Sequence, residues 1–99
     1  MSSKSLKCND MPWKKDSNGG DFKHIASKNP QMYIMKLAPG EIIAHHSHST
    51  TKYNFILKGS MSDEDGEYTQ GDLVINEKGT SHSVQAGSHG TEFLVIWND

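Results

Sequence analysis

From residue 21 onward the chain breaks into apolar runs of three to seven residues, each closed by a glycine-rich or proline-containing turn. This punctuation is the strongest constraint on its fold. Gln31 to Leu37 alternates Met32 and Ile34 against Tyr33, Met35 and Leu37, as a strand covered on both faces would. Ala38-Pro39-Gly40 turns the chain, and Glu41 to His48 resumes with the β-branched pair Ile42-Ile43. Tyr53 to Lys58 is strongly strand-like and Gly59 closes it. Asp65-Gly66, between Ser60-Met61-Ser62 and Glu67-Tyr68-Thr69, predicts a hairpin. Leu73 to Ile75, His82 to Ala86 and Thr91 to Trp97 complete the series, and Asp21 to Ile25 is a weaker first strand. No stretch beyond residue 20 sustains a 3.6-residue apolar period, so helices are not expected. Short strands at regular spacing predict an all-β sandwich or barrel. At 99 residues and 33% hydrophobic content the chain can build one small core.

Residues 1–20 differ from the rest. They are polar, carry Lys4, Lys7, Lys14 and Lys15, and hold only Leu6, Met11 and Trp13 as large apolar groups. They read as an N-terminal arm on a 21–99 barrel. Because a small barrel leaves edges to cover, the arm is expected to pack across a second subunit of a homodimer.

Composition excludes several classes. No run approaches the ~18 apolar residues of a membrane span, and the start MSSKSLKCND has no secretory apolar stretch. A net charge of −2 offers no electrostatic footprint for nucleic acid. The single cysteine, Cys8, rules out an intrachain disulfide, and a reducing, cytoplasmic setting is the expectation.

The six histidines carry the chemistry. His46 and His48 lie two apart in a strand-like stretch, so both imidazoles share a face, with His45 turned away. His82 opens a later strand and could close a metal site from across a barrel. His45 and His89 read as surface residues, and His24, on the weak first strand, has no partner legible in sequence. The acidic tip Asp63-Glu64-Asp65 reads as a solvated hairpin end.

The spacing of the glycines around these histidines is specific. Five residues separate Gly40 from His46-Ser47-His48, and Gly59 lies eleven residues after His48. Five residues separate Gly71 from Glu77, followed by Lys78-Gly79, two residues and His82. In this the chain resembles the cupin superfamily, whose two motifs follow those spacings. The resemblance implies a double-stranded β-helix, or jelly-roll, barrel with His46, His48 and His82 as ligands of one divalent metal ion. It also exposes a departure: the glutamate of the first motif would fall at Lys52 or Tyr53, and neither is a carboxylate.

MPWKK, LAPGE, FILKG, DEDGEYTQGD and GTSH resemble the cupin domain of ChrR-type anti-sigma factors, which normally keeps that glutamate and binds zinc. HSHSTTKYNFILKG resembles the acetylacetone-cleaving dioxygenases, which hold ferrous iron with three histidines. The second resemblance implies Fe(II), with Zn, Ni, Co and Cu as alternatives, and an oxygenase that chelates a small diketone-like or keto-acid-like substrate and cleaves a C–C bond with O2. The first implies a non-enzymatic sensing or regulatory domain. Lyase or isomerase chemistry at the same metal is a further alternative.

Lys52, Tyr53 and Phe55 are the candidates for lining the substrate pocket. Alternation makes Tyr53, Phe55 and Leu57 the more apolar set and Lys52, Asn54 and Lys58 the more polar one, with Ile56 an exception, which predicts Tyr53 inward and Lys52 outward. Were Lys52 inward, its ammonium would oppose a bound cation, and the fold would then suit a cupin that has lost its metal.

Overall fold

The computed structural model describes residues 2–99. Eight strands form one antiparallel arrangement: β1 (Lys14–Lys15), β2 (Asp21–Ser27), β3 (Gln31–Leu37), β4 (Ile42–Ser47), β5 (Lys52–Asp63), β6 (Gly66–Thr69), β7 (Leu73–Asn76) and β8 (Ser81–Trp97). A 3-10 turn at Cys8–Asp10 is the only helical element among the described residues. The order is β1-β2-β3-β8-β5-β6, with β4 also on β8 and β7 also on β5. The all-β jelly-roll expectation holds.

Two expected breaks are absent. β5 runs on through Gly59, and β8 is continuous across Gly87-Ser88-His89-Gly90. Both strands bend instead of ending. The C-terminal part of β8 pairs with β3 and with the first half of β5; its N-terminal part pairs with β4 and with Met61-Ser62. At the bend Gly59 and Gly90 have φ of +69° and +74°, and a Cβ on Gly59 would sit 2.0 Å from the Gly90 carbonyl oxygen. Only glycine allows both that conformation and that approach. Two long bent strands therefore replace four short ones and close the barrel.

The core is Met35, Leu37, Ile43, Ile56, Met61, Val74, Val84, Ala86, Phe93 and Val95. Ile56 is fully buried, which stabilises the fold by roughly 1.5–3 kcal/mol relative to an exposed side chain. Part of this core, including Met35, Ile43 and Phe93, also lines the cavity on which the site is built.

The arm lies on its own barrel. β1 pairs with β2. The Trp13 ring is flanked by the ammonium groups of Lys23 and Lys36 at 4.4 and 4.5 Å. Lys23 also donates to the Cys8 carbonyl at 2.9 Å. Ala44 N–H donates to the Asn18 carbonyl at 3.1 Å, which ties the end of the arm to β4.

Candidate metal centre

The three imidazoles predicted to meet do meet. β4 and β8 set His46 directly opposite His82. The ring centroids of His46, His48 and His82 lie 4.7 to 5.0 Å apart, and one ring nitrogen from each falls within 4.8 Å of the others. A β-bulge makes this possible. Between Ile43 and His46 the register with β8 shifts, so that Ala44 and His45 face Ser83 alone. Without the extra residue, Ile43 and His46 would point to opposite faces; with it, Ile43 enters the core and His46 the centre. His45 is left outside, as expected, 3.6 Å from Glu64.

Each ring is held differently. His46 Nδ1–H donates to the Ala44 carbonyl at 2.9 Å, a group the bulge leaves outside the ladder. His82 Nδ1–H donates to Asp63 Oδ2 at 3.1 Å. Both bonds fix the tautomer that keeps the Nε2 lone pair free. His48 is 5% exposed and neither of its ring nitrogens has a partner. Burial lowers its pKa to about 4, reinforced by His82, His46 and Lys52.

Two presented lone pairs and one orphaned buried imidazole suit a divalent transition metal, which satisfies all three at once. Fe(II), Zn, Ni, Co and Cu all accept such a donor set. No carboxylate joins the three imidazoles among the described residues.

Asp63 is a residue the sequence reading misplaced. It is not a solvated tip: its side chain is 5% exposed. Oδ1 accepts from Tyr68 O–H at 2.8 Å and from the N–H groups of Asp65 and Gly66. Those bonds and His82 outweigh burial and hold its pKa below the usual carboxylate range. The phenol of Tyr68 is correspondingly pushed up to about 12, by burial first and then by Asp63. Glu64 accepts from Ser83 N–H at 3.1 Å and so clips the same hairpin to β8.

The centre opens into a cavity of about 100 Å3. Its polar wall includes Asp16, Asn18, Lys52, Asn54 and Asn76 around the histidines. The alternation of β5 is opposite to that expected. Lys52 lines the cavity and Asn54 and Ile56 are buried, whereas Tyr53 and Phe55 are 44% and 42% exposed on the outer face. Tyr53 and Phe55 therefore do not line the pocket. The reason is tertiary: β5 is flanked by β7 and β8, and the outer face of that sheet has no layer over it. Lys52 lays its ammonium over the Trp97 ring at 4.7 Å. Burial lowers its pKa, and Asp16 opposes that shift. His24 and His89 are exposed, bonded to Gln31 and Ser88 respectively.

Among known proteins, the chain matches oxalate decarboxylase OxdC of Bacillus subtilis (strain 168) at 33% identity over 82 residues, 74% of this chain. It spans about a fifth, 21%, of that enzyme's length. A predicted oxalate decarboxylase from Thermotoga maritima superposes with a TM-score of 0.83 at 24% identity, over 96% of this chain and 98% of that one. A chain in the crystal structure of Rhodobacter sphaeroides SigE in complex with the anti-sigma ChrR superposes at 0.82 and 17% identity, over 93% of this chain and 52% of that one. These two superpositions show a shared fold. The ChrR cupin-like domain family matches residues 1–98, nearly the whole length. With its jelly-roll barrel and its histidine-lined cavity, the chain belongs to the ChrR cupin-like domain family.

Proposed function

We propose that this protein is a mononuclear metal-dependent enzyme that chelates a small anionic substrate at His46, His48 and His82 and cleaves a C–C bond with O2. The observation that carries the reading is the donor set: three neutral imidazoles, an orphaned His48 among them, and no carboxylate. Bound Fe(II) would supply Lewis-acid polarisation of the substrate and a position for O2, with its 2+ charge uncancelled by the ligands. The residues of the chain do the rest. Asp63 and the Ala44 carbonyl hold two rings in the presenting tautomer. The Lys52 ammonium favours an anion, and the cavity of about 100 Å3 admits only a small one, against the 300–1,000 Å3 of sites for drug-sized ligands. The overall reaction balances: a diketone enolate plus O2 gives one carboxylate and one 1,2-dicarbonyl, with both oxygen atoms kept in the products.

The test is the metal content of untagged protein purified under nitrogen, followed by oxygen uptake with acetylacetone and small keto acids. One iron per chain with stoichiometric O2 consumption supports the reading. Release of CO2 from oxalate without net O2 uptake would replace it with lyase chemistry, the activity named for the Bacillus relative.

The family match favours a second reading, a metal-binding sensor domain. A zinc-loaded protein that turns over none of these substrates and is retained on an immobilised sigma factor would establish it.

A further inference from the structure

The resemblance to cupins would place an anionic ligand at Lys52 or Tyr53, and of the two the structure turns Lys52 into the cavity. Its ammonium makes no hydrogen bond or ion pair among the described residues and rests on the Trp97 ring. Asp16 lines the cavity too, yet lies beyond ion-pairing distance. Asn54, the neighbouring inward residue, donates its amide NH2 to the Val74 carbonyl at 3.3 Å and makes no hydrogen bond with the ammonium. A partly desolvated ammonium with no partner gains most from an anion brought to it.

We propose that Lys52 makes this a site for a small dianion, such as a short dicarboxylate, with one anionic end at the three histidines and the other on Lys52. This rests on the reading that those histidines hold a metal. Lys52 is a specificity residue: among the small anionic chelators of the proposed function it favours those with a second negative charge, as a keto-acid enolate has, over a monoanionic diketone.

Calorimetric titration of the Co(II)-loaded protein with oxalate, malonate and acetylacetone, for the parent chain, Lys52→Gln and Lys52→Arg, tests this, with metal content measured on the same samples. Lys52→Gln should weaken the dicarboxylates about tenfold or more, change acetylacetone by less than about twofold, and leave the metal content alone. Lys52→Arg should keep most of the dicarboxylate affinity. Equal dicarboxylate affinity in Lys52→Gln would overturn the Lys52 proposal alone. Failure to load any metal would overturn it together with the three-histidine reading.

A separate observation carries a second proposal. Tyr53 pairs with Ile75 and Ile96, and Phe55 with Leu73 and Leu94, across three adjacent strands. Tyr53, Phe55, Leu57, Leu73 and Ile75 are 37% to 56% exposed. At on the order of 80 Å2 each, they leave roughly 400 Å2 of apolar surface, about half of what each partner covers in a standard interface. The neighbouring half of this outer face, over β2 and β3, is already covered by Trp13 and the 3-10 turn of the arm. The charged pair bordering the bare half, Lys58 and Glu92 at 3.3 Å, is neutral as a unit. That pair presents no net charge to the same pair of a second copy.

We infer that a second copy of this chain covers the bare half, so that the homodimer interface is the β5-β7-β8 outer face and not the arm. Light scattering coupled to size exclusion should give twice the 11.0 kDa chain mass. Phe55→Glu and, independently, Leu73→Lys should give the monomer with an unchanged circular-dichroism spectrum. A monomeric parent chain at about 100 μM, a concentration well above the Kd of a stable dimer, or dimers in both variants, would overturn the assignment.

Discussion

Asp63 Oδ2 accepts a hydrogen bond from His82 Nδ1 at 3.1 Å, joining the last residue of β5 to the second residue of β8. The carboxylate is itself held by Tyr68 and two backbone N–H groups, so its position does not depend on the histidine. It sets both the ring angle and the proton of His82.

Asp63→Asn keeps one oxygen for the Tyr68 and turn bonds but can present an NH2 group to Nδ1. Donor would then face donor. His82 would move its proton to Nε2, the atom meant for the metal. The expected result is a loss of metal affinity of about 10–100-fold with little change in apo-protein stability, read by competition with a chromophoric chelator and by thermal melting.

His48 has two buried nitrogens without partners, each a cost that only a ligand relieves. His48→Leu should therefore stabilise the chelator-treated protein by about 1–3 kcal/mol while removing tight metal binding. Urea unfolding without metal and metal analysis after reconstitution check the two halves of the trade.

The lowered pKa of His48 has a definite sign for the metal-free protein. Unfolded, the group titrates near its ordinary 6.5; folded, at about 4. Above 6.5 both states are neutral there and stability is unaffected by it. Between those values the unfolded chain binds the proton that the folded one refuses, so stability is lost as the pH falls, by up to roughly 3 kcal/mol. Melting temperatures of the chelator-treated protein should drop across this window, and His48→Leu should flatten the drop.

Gly59→Ala and Gly79→Ala both place a side chain at positive φ, +69° and +87°. The first also drives Cβ into the Gly90 carbonyl, whereas nothing lies within 4 Å of the second. Gly79→Ala should cost about 1 kcal/mol of backbone strain, and Gly59→Ala several times more, because β5 and β8 must separate at the bend. Equal losses in denaturant titrations would deny that contact its role.

The exposed apolar side of β5 shows where local pattern stops. Tyr53, Phe55 and Leu57 look like core in sequence, and a period of two correctly separates them from Lys52, Asn54 and Ile56. Alternation has no sign, however. Which set faces inward depends on what the flanking strands leave uncovered.

The sequence alone determined the all-β class, the strand positions within a few residues and the shared face of His46 and His48, because turn glycines and period-two spacing are local properties; that His82 joins them was implied by the resemblance to the cupin motifs, and the register and bulge of β4 on β8 bring it about. Tertiary structure alone decided that β5 and β8 bend through Gly59 and Gly90 without ending. It decided too that Lys52, Asp16 and Asn76 wall the cavity and that Asp63 reaches His82. Those relationships join residues 19 or more positions apart through inter-strand register and one β-bulge, and register is a property of the pair of strands, written in neither one by itself.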